Sequence, residues 1–317
     1  MSLWLMPEYH STSASLLTTL SATSSIAIST SGDGSYRNTL SPAAPSFFAD
    51  SQTYFECGDG VRCETLTKIS NNLAAFLGDP NFPRTFMSAS QGEKIIRLQN
   101  LWKVYSTLGF TNNYDRAIAI EGVFTRLLAA FKARGPFGVF EEGHSDKTHQ
   151  PGGLLRRMLL WYRPPNKEPM TRIQFPKGEG APSWSWMAST GEIEFLKPKF
   201  GGIDWMEVQP PWSRSPVVAG DMALHCEVSK IVGVGPGYQG RSEGKLFYDG
   251  PDQGSRDKME CVVLGVEKGS EELGSRIHYL IIVRSVELDG MEVYERVGAG
   301  YLPRQYISRS GQGTAIC

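Results

Sequence analysis

Two of the seven tryptophans in this 317-residue chain stand two positions apart in Ala181-Pro182-Ser183-Trp184-Ser185-Trp186-Met187-Ala188, and no other segment constrains the fold as strongly. Side chains alternate across a strand, so this spacing predicts an extended segment with both indoles on one face. An indole needs its ring buried and its N–H partnered, so the segment is expected to cross a core or anchor an interface as a seam. A ligand-stacking surface made by Trp161, Trp184 and Trp186 is the rival reading, and core packing is the simpler account.

The rest of the composition limits the classes available. Hydrophobic residues make up 40%, charged residues 21%, and the net charge is -1, which describes an ordinary globular chain and argues against nucleic acid as an obligatory partner. No stretch approaches the roughly 18 apolar residues of a membrane span, and the first residues lack a basic and apolar signal pattern, so a cytoplasmic location is expected. The five cysteines, Cys57, Cys63, Cys226, Cys261 and Cys317, are odd in number and scattered, as in a reduced protein. Cys57 and Cys63 with His144 and His149 have the wrong spacing for zinc, and no metal or cofactor is expected.

Residues 11–31 carry Ser or Thr at 13 of 21 positions and no charge, too little apolar surface to offset the entropy of ordering. Residues 1–39 therefore read as a disordered leader. A proline-bounded loop and a short strand follow from residue 40. The strongest helical signal covers residues 91–108, where Ile95, Leu98, Leu101, Trp102, Tyr105 and Leu108 recur at three- and four-residue steps. Thr111 is placed to cap a second helix carrying Asp115 in its first turn and Ile118, Gly122, Val123, Leu127, Leu128 and Phe131. A third helix spans residues 153–162 before Pro164-Pro165. Beyond residue 186 the pattern turns to strands at 222–234, 245–248, 261–266, 277–287 and 292–297, with Asp289-Gly290 as a hairpin turn between the last two. These predict a small antiparallel sheet or partly closed barrel, with residues 308–317 as a flexible polar tail. The expected architecture is α+β: a residual strand and helical region over 40–165, packed with a β-rich region over 166–307 that contains the tryptophan strand.

Chemistry is sparse. Glu141, Glu142, His144 and Asp146 are the right types for acid–base work, although a solvated loop explains them as well. Gly233-Val234-Gly235-Pro236-Gly237 lacks the following helix that a phosphate loop needs, and reads as a turn. Asp115-Arg116 reads as helix-dipole complementarity with a local salt bridge.

Four blocks, taken in order, resemble one family. They are Leu40-Ser41-Pro42 leading to Gln52-Thr53-Tyr54-Phe55-Glu56-Cys57; Trp102-Lys103-Val104-Tyr105-Ser106 with Thr111 and Asp115-Arg116-Ala117-Ile118-Ala119-Ile120-Glu121-Gly122; residues 153–161 followed by Ala181-Pro182-Ser183-Trp184-Ser185-Trp186; and Tyr294-Glu295-Arg296-Val297-Gly298-Ala299-Gly300. From about residue 40 to 304 the chain resembles the region downstream of the signature in fungal heterokaryon-incompatibility (HET) domain proteins. The family's signature half, with a Leu-Ser-Tyr-x-Trp-Gly strand and an Arg-Ala-Trp-Thr-x-Gln-Glu block, has no match here. The resemblance thus implies a truncated member, or one whose upstream coding sequence is missed, to which no catalytic residue transfers. Its marker positions are Trp102, Tyr105, Asp115, Arg116, Gly122, Trp161, Pro182, Trp184, Trp186, Arg296 and Gly298.

The function it implies is a non-catalytic regulatory or interaction region connected with fungal non-self recognition and programmed cell death, with a protein partner or self-association. The alternatives are a self-contained enzyme using the loop from Glu141 to Asp146, or an inert remnant.

Overall fold

The computed structural model describes residues 46–48, 53–57, 60–63, 68–69, 88–142, 153–176, 180–213, 222–234, 244–250, 260–269, 274–288 and 290–317. The leader, His144, Asp146, His149, Asp289 and the turn at 235–237 lie outside them. The chain divides into two units, Met1–Lys94 with Leu108–Lys132, and Ile95–Thr107 with Ala133–Cys317.

In the first unit, strands β1 (Ser46–Phe48), β2 (Thr53–Cys57), β3 (Gly60–Cys63) and β4 (Lys68–Ile69) form an antiparallel sheet in chain order. Helix α1 (Gln91–Ser106) begins here. Ser90 Oγ accepts from the Glu93 amide at 3.3 Å, which satisfies one of the first turn's orphan donors, and its carbonyl accepts the first helical bond, from Lys94. The single helix expected after Thr111 is two: α2 (Asp115–Ile118) and α3 (Glu121–Phe131). Thr111 caps neither of them. Tyr114 and Ile120 hold the cap positions without side-chain bonds, and Ile120 at φ -102°, ψ -2° breaks the helical run. Helix α3 still buries Val123, Phe124 and Leu127 at the helical spacing read from the sequence.

The second unit is built on β-structure, beginning with the short antiparallel pair β5 (Ala133–Arg134) and β6 (Glu141–Glu142). Strands β10 (Leu224–Ile231), β12 (Glu260–Glu267), β13 (Ile277–Leu288), β14 (Met291–Pro303) and β15 (Ile307–Ile316) close in a ring, because β10 pairs with both β15 and β12. Closure removes the exposed edges that such a sheet would otherwise present. The hairpin expected at Asp289-Gly290 is present: Leu288 faces Met291, and Gly290 takes φ 76°. Leu246, Cys261, Leu280, Ile282, Leu302 and Ile307 form the core of this barrel. β11 (Lys245–Tyr248) adds to β14, and β9 (Ile203–Trp205) adds to β12. A Cβ at Gly298 would run into the Phe247 carbonyl, so β11 can lie this close only against glycine. With the helices above, the architecture is α+β and predominantly β.

Two sequence expectations change. Residues 308–317 are not a tail but most of β15, paired to β10 from Ile231↔Ile307 to Leu224↔Ile316, with Ile316 fully buried. The tryptophan segment is not a strand. Residues 183–185 turn, and Trp186–Ala188 is a 3-10 helix capped by Ser185, whose hydroxyl accepts from the Met187 amide at 3.0 Å. The Ser185 hydroxyl accepts a local turn bond, which competes with an extended ladder.

The third helix is also shorter than expected. α4 (Gly153–Leu159) stops before Trp161, and β7 (Trp161–Tyr162) then pairs with β8 (Glu194–Phe195).

Candidate functional site

Five marker residues of the second unit, Trp161, Pro182, Trp184, Arg296 and Gly298, lie in one buried seam. Arg296, 4% exposed on β14, lies at its centre. Its guanidinium carbon sits 3.2 Å from the centroid of the Trp161 ring. Nη2 donates to the Trp161 carbonyl at 2.6 Å and to Asp249 Oδ1 at 3.4 Å, and Nε donates to the Gly298 carbonyl at 3.3 Å. The Arg296 amide donates to Ser183 Oγ at 3.0 Å, and Ser183 in turn donates to the Cys317 carbonyl. Trp161 Nε1 donates to the Trp184 carbonyl at 3.0 Å, and Trp184 Nε1 to that of Met222 at 2.8 Å. Three segments distant in sequence are thereby stitched together. Pro182 is buried in the same turn.

The second indole faces elsewhere. Trp186 packs with Trp102 (5.8 Å) and edge-on to Tyr105 (6.0 Å), while Trp184 meets Trp212 (6.1 Å). Gly138 at φ 76° lies under the Trp186 ring, where a Cβ would come within 2.5 Å of Nε1. Ser185 Oγ donates to the Phe137 carbonyl at 2.7 Å, fixing the same loop. The α1 residues Ile95–Ser106 are tied in by Lys103 to Glu194, by Ser106 Oγ accepting from Ile193, and by Gln99 donating to the Arg157 carbonyl.

Among the other expected site residues, Asp115 starts α2, Arg116 is buried on it, and Gly122 lies in the first turn of α3. Glu141 is half-buried, accepts from Trp212 Nε1 at 2.9 Å and lies 3.9 Å from Arg134. Those contacts give it a structural partner, and the remaining groups of its loop fall outside the described side chains. No group of three His, Cys, Asp or Glu among the described residues is placed to hold a metal ion. Comparison with family models, curated proteins and solved structures finds no match.

Burial governs the seam's electrostatics. It pushes Asp249 up to about 6 despite the Arg296 and Arg163 charges, and draws Arg296 down to about 10 despite Asp249. The folded chain therefore holds the Asp249 proton more tightly than the unfolded chain, whose ordinary value is 3.8. Between those values the folded state binds more protons, so stability falls as pH rises through that window. Two pKa units correspond to about 3 kcal/mol. Denaturant titrations at pH 7.5 and pH 4.5 should show this loss in the wild type and its absence in Asp249→Asn; equal pH slopes for the two proteins would refute the assignment.

A cavity of about 910 Å³ opens beside the barrel, a feature no sequence motif announced. It forms where β9 and β10, both on one edge of β12, part company: β10 pairs at Glu260 to Val262 and β9 at Gly265 to Glu267. Asp204, Glu207, Gln209, His225, Glu227, Arg276, His278 and Arg304 supply polar lining, and Met206, Val263, Val266 and Ile307 apolar lining. Burial lowers the His278 pKa, opposed by its bond to the Arg276 carbonyl and assisted by the Arg304 and Arg276 charges. Cys226, also on the wall, is pushed up to about 12 by burial and stays a thiol, which excludes it as a ready nucleophile.

Proposed function

We propose that this chain acts as a non-catalytic interaction or regulatory region, related to the part of HET-domain proteins that lies downstream of their signature, and connected with fungal non-self recognition and programmed cell death. The observation that carries the reading is the seam. Trp161, Pro182, Trp184 and Arg296, which mark two blocks of the resemblance, are buried and bonded to one another or to backbone. Residues used in this way hold a scaffold and present no reacting atoms. Glu141, the one described side chain of the acid-rich loop, is taken up by Trp212 and Arg134. A partner or a second copy would then bind the scaffold's surface.

The test has two arms. The purified chain, incubated with a nicotinamide dinucleotide, is expected to leave it intact, and expression in a filamentous fungus is expected not to kill the cell unaided. Cleavage above the buffer rate, or death on expression alone, would sink the non-catalytic reading. Sedimentation over a concentration series, with and without extracts of an incompatible strain, then reads association. A monomer unchanged in both would remove the interaction role.

A further inference from the structure

The cavity beside the barrel sorts its charges by depth. His278 is 8% exposed, and its Nδ1 lies 2.8 Å from the Arg276 carbonyl. A carbonyl can only accept, so Nδ1 carries the proton and Nε2 is the ring's acceptor in the neutral form. The same carbonyl accepts from the Arg304 amide at 2.9 Å, and the Arg304 guanidinium donates to the Ile307 carbonyl. One backbone oxygen thus fixes three basic residues about itself. Arg276 and Arg304 are only partly exposed, whereas Asp204, Glu207 and Glu227 are exposed at the rim.

The rim is ordered too. Gln209 and His225 exchange backbone hydrogen bonds of 2.9 Å in each direction, Gln209 Nε2 donates to Glu207 at 3.2 Å, and Lys268 pairs with Asp204 at 3.6 Å. The apolar lining includes Val263 and Val266, both half-buried, and the buried Ile307, while Met206 is exposed beside Glu207.

We propose that this cavity is a binding site for a small amphoteric molecule, with its carboxylate or phosphate end on Arg276 and Arg304, its apolar middle along Val263 and Val266, and its cationic end at Glu207 and Glu227. Partly desolvated guanidinium groups favour a charge-assisted, two-pronged anion contact over the water they have lost. Carboxylates at the mouth repel a plain anion and attract a cation, so the site selects molecules that carry both. The volume lies within the range of small-ligand clefts. The reading is independent of the family resemblance, since none of the lining residues is a marker position.

The test uses the full chain and ω-amino acids of four to eight carbons, each compared with the matching fatty acid and alkylamine by ligand-observed NMR. At least one amino acid is expected to bind about tenfold more tightly than both of its single-charge counterparts. Arg276→Gln should abolish carboxylate binding. Because that change touches a partly buried side chain, Glu207→Gln/Glu227→Gln serves as the control, since both residues are exposed on the surface. It should erase the advantage of the amino acid and leave fatty-acid binding equal or stronger. If no amino acid outbinds its counterparts, or if both variants bind as the wild type does, the proposal fails. A headgroup-bearing vesicle competing where the free amino acid does not would assign the site to a lipid surface instead and would equally overturn it.

Discussion

Arg296→Ala is expected to lower the unfolding free energy of the second unit by about 3 to 5 kcal/mol at pH 7, the range seen when one partner of a buried ion pair is removed. Three losses combine. The carbonyls of Trp161 and Gly298 lose their donor, the Trp161 ring loses the cation stacked 3.2 Å from its centre, and Asp249 is left buried beside a hole. Asp249→Asn should cost less than half as much. The raised pKa of Asp249 means that the fold already prefers a neutral side chain there, and an asparagine oxygen can still accept from Arg296. This asymmetry separates a guanidinium that organises backbone from an ion pair that stabilises by attraction. Urea titrations of the two single variants and the double variant read it directly. A double variant as stable as the wild type would show the pair to be dispensable, and an Arg296→Ala loss below about 1 kcal/mol would remove the seam's centre from the account.

Much of the fold was legible because local rules and tertiary packing agree. Ile95, Leu98, Leu101, Trp102 and Tyr105 follow helical spacing, and all five are buried on α1. The β13–β14 hairpin follows from a two-residue Asp-Gly turn between two runs of β-branched residues. Three features were not legible, each for its own reason. A spacing of two over four residues is common to a strand and to a turn entering a 3-10 helix. What decides between them is whether Ser185 bonds locally, and it does: its amide donates to the Pro182 carbonyl and its hydroxyl accepts from the Met187 amide. β15 was invisible because its central stretch, Ser308 to Gly313, is polar and is held by backbone pairing to β10, which leaves no apolar period to read. Ser90 with Glu93 was the overlooked local signal, an N-cap pattern at the start of α1. The candidate cavity had no signal at all. Its residues come from five separate segments between 204 and 307, and what unites them is the parting of β9 and β10 along one edge of β12.

Trp186→Ala is the second large effect, expected to cost about 3 to 5 kcal/mol, as buried aromatic-to-alanine changes do. Trp186 is fully buried and touches Trp102 on α1, Tyr105 one turn further along, and the glycine loop at 138. The loop packed against the ring offers nothing to fill the space. Gly138 has no side chain to offer, and Ser185 still holds Phe137 in place by its 2.7 Å bond. An apolar hole that cannot collapse stays open and accepts small aromatic molecules. Added indole should therefore restore part of the lost stability to Trp186→Ala in proportion to the logarithm of its concentration, and should leave the wild type unchanged. Trp212→Ala provides the contrast. Trp212 is only half-buried, so its loss should be smaller and indole should not rescue it, although Glu141 would lose its indole donor. Equal losses at the two sites, or rescue at both, would mean that Trp186 is not enclosed. In that event the aromatic cluster could not be what fixes the Ile95–Ser106 part of α1 within the second unit.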